Sequence, residues 1–187
     1  MKHKETPITK RINHLSKSES RWFAIYTKYK CEKFVVEQLA KKGIAAYVPL
    51  ITKIKRYTSR VKRFDVPLIN CYVFVKITES QYVKVLETMH VMGFIKQRQN
   101  LISIPEYEIN LLKRIVGEIE DVTAGNVEMV VGDEVEIISG NLTGIRGKLI
   151  EAEGKNRFIV QLASIGFQLS MVVDKSLLRL LNRKAAS

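Results

Sequence analysis

VGDEVEIISGNLTGIRGKLIE, residues 131–151, holds Gly140, Gly144 and Gly147 in close succession, with Lys148 behind them. Such a cluster belongs either to a loop that cradles a phosphate or to tight turns in a small β domain. A phosphate loop needs a strand, then GxxxxGK[ST], then a helix whose N-terminus faces the anion. The spacing here differs, and Leu149 stands where a magnesium-binding hydroxyl would be. Val135 and Ile137 alternate with Glu134 and Glu136 before the glycines, and Phe158, Val160 and Leu162 alternate with other residues after them. Both patterns have the period of a strand. The glycines are therefore assigned to turns between bent strands, where a positive φ or a close backbone approach is required. Further turns are predicted at Gly154–Asn156 and Ser164–Gly166, with MVVD (171–174) as the last main strand. Five short strands in about 55 residues predict a small barrel.

Upstream, strands and helices mix. RWFAIYT (21–27) is aromatic and β-branched and predicts a strand. Cys31, Phe34, Val35, Gln38 and Leu39 recur at helical spacing, with Gly43 where a C-cap belongs. AAYVPLI (45–51) reads as a strand kept to an edge or end by Pro49, PLINCYVFVKI (67–77) as a central strand buried on both faces, and GFIKQ (93–97) as another strand. Thr78 with Gln81, and Ser103 with Glu106, have capping-box spacing ahead of two further helices. These elements predict one sheet with helices packed on it. The acidic stretch GEIEDVTAGNVE (117–128) reads as a linker, and the hydrophilic residues 1–20 as a disordered tail. The expected organisation is α+β: a first domain over 21–116, the linker, and a β domain over 129–184.

The 187 residues carry a net charge of +12, unevenly distributed. Residues 1–116 hold 23 Lys and Arg against 9 Asp and Glu, whereas residues 117–187 hold 8 against 10. A basic first domain attracts polyanions. Between the second and third predicted strands, TKIKRYTSRVKRFD (52–65) concentrates Lys53, Lys55, Arg56, Arg60, Lys62 and Arg63, with Tyr57 and Phe64 interleaved. That composition suits an arm lying on a nucleic-acid backbone, with a ring able to stack on a base. Cys31 and Cys71 do not form a CxxC pair, and His3, His14 and His90 are the only histidines. No metal-ligand spacing or nucleophile–base arrangement arises, so no metal, cofactor or catalytic residue is expected. The absence of a signal-type or membrane-spanning apolar run predicts a cytoplasmic protein without membrane contact, read as a monomer.

Residues 132–151 closely resemble a KOW motif, the core of an SH3-like barrel. Arg21–Thr27, Pro67–Val75 and Val91–Ile95 resemble the NGN domain of the NusG family of transcription elongation factors. The two resemblances follow that family's domain order across roughly residues 21–184. Trp22, Tyr26, Pro67, Leu68, Tyr72, Phe74 and Val75 further resemble the specialised antiterminators of the RfaH and UpxY types, the latter acting on capsular polysaccharide operons.

The resemblance implies a non-enzymatic antitermination or elongation factor that binds the clamp helices of bacterial RNA polymerase and raises processivity. It assigns the polymerase contact to Tyr26, Ile69, Tyr72 and Phe74. It implies contact with non-template DNA or nascent RNA through Lys28, with Lys30 and the basic arm as further candidates. Ile165 and Phe167 fall in the loop that relatives use to recruit a ribosomal protein or a termination factor. Ile165-Gly166-Phe167-Gln168 departs from the general factors' Ile-Phe-Gly-Arg, which implies loss of termination-factor binding. Ile69-Asn70-Cys71-Tyr72 lacks the Phe-Pro that usually precedes the family's tyrosine. The alternative reading is a KOW-containing ribosome-associated RNA-binding protein, for which a basic rather than a slightly acidic β domain would be expected.

Overall fold

The computed structural model describes residues 11–118, 122–126, 132–152 and 155–182. Strand β1 (Arg21–Thr27) forms where the aromatic and β-branched run predicts it, and helix α1 (Glu32–Lys41) follows, with Gly43 at φ 70° beyond its C-terminus. The expected strand over 45–51 divides at Val48–Pro49 into β2 (Ala45–Tyr47) and β3 (Leu50–Arg56). Proline cannot donate to a ladder, so the chain leaves one sheet there and starts another. Strand β3 pairs with β4 (Val61–Pro67) in a separate two-stranded hairpin. The predicted central strand over 67–77 is shorter, as β5 (Tyr72–Ile77): Leu68 donates its N–H to Pro49 O, and Cys71 turns at φ 64°.

The predicted capping box at Thr78–Gln81 is present, opening a 3-10 turn and then helix α2 (Tyr82–Leu86). Strand β6 covers Val91–Phe94 and helix α3 covers Glu106–Glu118. Ser103 and Glu106 do not form the second capping box. Ser103 N–H donates to His14 Nδ1, while the Glu106 carboxylate accepts from Trp22 Nε1 and Lys76 Nζ. Residues 12–16, assigned to the tail, are pinned down. Leu101 donates to Ile12 O, His14 donates to Leu101 O, and Glu79 donates to Ser16 O. Residues 1–10 of that tail lie outside the described residues.

The first-domain sheet has the antiparallel order β2-β5-β1-β6. Alternation divides its residues between two layers. Phe23, Ile25, Val73, Val75 and Ile77 pack with Val35 and Leu39 of α1 and Val85 of α2. Trp22, Ala24 and Phe74 face the other way, in a cluster with Ile109, Leu112 and Ile115 of α3. The prediction of a strand buried on both faces therefore holds for β5.

The second domain is a six-stranded antiparallel sheet in the order β12-β8-β9-β10-β11-β7. It comprises β7 (Val122–Asn126), β8 (Asp133–Ile137), β9 (Arg146–Ala152), β10 (Lys155–Leu162), β11 (Phe167–Val172) and β12 (Leu178–Asn182). Five strands are expected and six form; the strand expected at 171–174 as the last ends at Val172 as β11, and β12 follows it to pair with β8. Strand β7 comes from the stretch read as a linker and pairs along β11, from Phe167↔Asn126 to Met171↔Val122. The open edge of β11 satisfies backbone groups that the polar sequence VTAGN would otherwise leave to water. Gly140 and Gly144 take φ 77° and 85°, and a Cβ on Gly147 would collide with the carbonyl oxygen of Ile159. Both expected uses of glycine thus occur. The predicted hairpin turn at Gly154 lies partly outside the described residues.

The two domains are packed together. The cluster around Phe74 and α3 runs on into Val135, Phe158, Leu162, Ile165 and Leu169 of the β domain.

Candidate interaction surfaces

Tyr26, the penultimate residue of β1, and Tyr72, the first of β5, are directly opposed. Their rings meet edge to face, with centroids 6.0 Å apart and an interplanar angle of 90°. The chain between β4 and β5 fixes their position. Cys71 N–H donates to Glu32 Oε1 at 2.7 Å, and Thr27 N–H donates to Cys71 O at 2.8 Å. Glu32, 2% exposed, thus satisfies a backbone donor that the turn would leave unpaired. A hydrogen bond with the Cys71 thiol pushes up the pKa of the Tyr26 phenol. Burial, then the neighbouring Tyr26 and Cys71, raises that of Tyr72. Both rings remain neutral and keep a hydroxyl proton at physiological pH.

The four expected polymerase-contact residues lie at different depths. Tyr26 is 46% exposed and Tyr72 is half-buried, whereas Ile69 and Phe74 belong to the buried cluster beneath. Tyr47 stacks on Phe74 at 6.3 Å, and burial pushes its phenol up to about 12. The exposed lip is therefore two tyrosines on an apolar floor. Its inner side is occupied by Phe167 of the β domain, whose ring meets Tyr72 edge to face at 5.1 Å.

Polar contacts hold the β domain in this position, among them that of Asn141 Nδ2, which donates to Glu118 Oε1 of α3 at 2.8 Å. Glu108 on α3 is 2% exposed, and its Oε1 accepts from Ser164 N–H at 3.2 Å and Ser164 Oγ at 2.9 Å. Gln97 Nε2 donates to Ser164 O at 3.1 Å. Arg114 Nη2 donates to Asn141 O and Thr143 O at 2.7 and 3.0 Å. Ile165, expected in a partner-recruiting loop, is buried, and Phe167 is committed to Tyr72. The same turn thus carries both its expected partner residues and its interdomain anchor. Sequence reasoning missed Glu108, Gln97, Ser164 and Arg114. The only hint was a glutamate beside Ile109 on the apolar stripe of α3.

Of the expected nucleic-acid residues, Lys28 and Lys30 occupy the exposed turn after β1, Lys30 at φ 62° with Nζ 5.2 Å from the Tyr29 ring. The six cations of the basic arm are all exposed on the β3–β4 hairpin. Lys33 Nζ donates to Asp65 O at 2.7 Å, tying the base of the hairpin to α1. Among the described residues no group of three or more His, Cys, Asp or Glu is placed to hold a metal ion, and no helix is long and apolar enough to cross a membrane.

A helix-backed antiparallel sheet, an aromatic lip at one end and a small β domain folded onto it define a two-domain α+β protein. The profile of the NusG family, described as transcription termination factor nusG, matches residues 20–113, half of the chain, and the chain belongs to that family. A solved structure of NusG from Thermotoga maritima, concerned with its domain interaction, is 21% identical. The match covers 91% of this chain and 100% of that one, with a TM-score of 0.52. Two conformations of the MjSpt4:Spt5 complex are each 20% identical, covering 87% and 88% of this chain and 99% of theirs, both with a TM-score of 0.31. No curated protein matches the chain.

Proposed function

We propose that the protein is a specialised elongation factor that binds the clamp helices of RNA polymerase through Tyr26 and Tyr72, above Ile69 and Phe74, and suppresses termination. The observation that carries this reading is the Tyr26–Tyr72 lip, an aromatic pair left partly exposed at the end of two central strands. Aromatic side chains bury much area at low entropy cost and dominate binding hot spots. Holding the clamp closed over nucleic acid raises processivity without bond-making chemistry. The basic first domain, with Lys28 and Lys30 beside the lip, favours contact with nearby non-template DNA or nascent RNA. Capsular polysaccharide operons are the target class suggested by the antiterminator resemblance.

In the conformation described, Phe167 covers part of the lip, so full engagement with polymerase requires the β domain to move. The same motion frees Ile165 and Phe167 to recruit a ribosomal protein. Membership of the NusG family and the aromatic lip favour this reading over a ribosome-associated RNA-binding protein. The test is capture of RNA polymerase from nuclease-treated host lysate by the wild type and by Tyr72→Asp, with circular dichroism showing that the variant folds. Retention by the wild type and loss in the folded variant is the expected result. Equal retention by both would remove the lip from the binding site.

A further inference from the structure

The register of the β3–β4 hairpin sorts its basic residues in a way their order in sequence conceals. Side chains of directly paired residues share a face. Lys53 pairs with Phe64 and Lys55 with Lys62, and Tyr57 and Arg60 close the loop by mutual backbone hydrogen bonds of 2.8 and 3.4 Å. One face therefore presents Lys53, Lys55, Lys62 and Arg60 with Phe64 and Tyr57, and no carboxylate. The other presents Arg56 and Arg63 with Ile54 and Val61, together with Asp65, which accepts from Thr52 Oγ1 at 2.7 Å. Every residue from Thr52 to Asp65 is exposed, so neither face is used in the protein's own core.

The first face has two features that point to a ligand. Lys55 and Lys62 are directly opposed like charges, an arrangement that costs stability unless an anion lies between them. Phe64 and Tyr57 remain 37% and 45% exposed on the same surface. Lys55 Nζ and the Arg60 guanidinium lie 5.1 and 5.8 Å from the Tyr57 ring, holding it on that surface. The rungs carrying the two rings are about 13 Å apart. Stacked neighbouring bases rise only about 3.4 Å, so the rings cannot take adjacent bases of a helix. Duplexes also hide the base faces to which aromatic side chains bind.

We infer that this face of the hairpin binds single-stranded nucleic acid, with phosphate held between Lys55 and Lys62 and separate bases stacked on Phe64 and Tyr57. The inference rests on the reading of the chain as a factor that works beside nucleic acid, yet the binding itself needs no polymerase.

The test is fluorescence anisotropy of the full-length protein with short labelled oligonucleotides: single-stranded DNA, single-stranded RNA and duplex DNA of the same length. At least one single strand is expected to bind about tenfold tighter than the duplex, and whichever does identifies the source. Phe64→Ala is expected to weaken that strand about tenfold and the duplex by less than about twofold. Lys55→Ala/Lys62→Ala is expected to lower the salt slope by about 0.7, the single-strand value for the one phosphate held between them. Arg56→Ala/Arg63→Ala removes equal charge from the opposite face and is expected to cost less than half as much affinity. Equal losses from the two double variants, a duplex bound as tightly as the single strands, or no response to Phe64→Ala would each overturn the inference. All substituted positions are exposed, and circular dichroism verifies folding. Polymerase capture by the same variants separates the two readings. If Tyr72→Asp leaves capture unchanged while the hairpin results hold, only the polymerase-contact reading fails. If Tyr72→Asp abolishes capture while the hairpin variants bind single strands normally, only the single-strand inference fails.

Discussion

Replacing Phe167 by alanine should strengthen polymerase binding, the opposite of what is expected for Tyr72→Asp. Phe167 is half-buried and meets Tyr72 edge to face at 5.1 Å. Half-burial of a phenylalanine side chain is worth about 1 kcal/mol. The edge-to-face geometry adds about 1 kcal/mol. Removing the ring therefore weakens docking of the β domain by about 2 kcal/mol, close to a 30-fold shift toward the undocked form. A ligand that binds only the undocked form gains apparent affinity by the same factor, up to the ratio of docked to undocked molecules in the wild type. The assay is a titration of labelled protein with purified polymerase, alongside small-angle scattering to follow the separation of the domains. Wider separation with tighter polymerase binding is the expected pair of results. Weaker binding of Phe167→Ala, in a variant that retains its β-domain fold, would refute the covering role. Unchanged scattering would refute the energetic estimate.

Three further outcomes follow from the same geometry. Glu108→Ala removes the acceptor of two hydrogen bonds from Ser164 and should open the domains as Phe167→Ala does, whereas Glu108→Gln retains one acceptor oxygen and should open them less; scattering ranks the two. Hydrogen bonding from Lys76 first, then from Trp22, holds the Glu106 carboxyl below the usual carboxylate range. Its contribution to stability is therefore present above the ordinary carboxylate pKa and lost as pH falls through the lowered one. The fluorescence of Trp22, the only tryptophan, should report that loss, and Glu106→Gln should remove the acid-side step. Gly147→Ala should lower the stability of the β domain by about 2 kcal/mol or more, because its Cβ would meet Ile159 O and the Phe158 ring; thermal unfolding measures it.

Much of the first domain was legible because its faces are written in alternation. The apolar run over 67–77 reads as buried on both faces, and Val73 and Val75 fill one layer while Phe74 fills the other. The glycine-rich turn was legible because its spacing failed the phosphate loop, and strands flank it. Other elements follow from partners distant in sequence. VTAGN has little strand propensity of its own and becomes β7 only because β11 offers an edge. Residues 12–16 read as tail by composition, yet their backbone is held by Leu101 and Glu79. Ser103 and Glu106 matched a local capping rule, but His14 and Trp22 claim their bonding groups. The tyrosine lip was legible by residue type. Its occupation by Phe167 was not, since nothing in either segment encodes the approach of two domains.

The apolar cluster that passes without a break from Phe74 through α3 to Phe158 and Leu169 also restricts inheritance. A first domain taken from this chain and joined to a relative's β domain would set Tyr72, Glu108 and Arg114 against a surface shaped for other residues. The two halves therefore change as one unit. A substitution at Ser164 or Phe167 is selected together with the tyrosines it touches, and variation should be correlated across that seam rather than within each half alone.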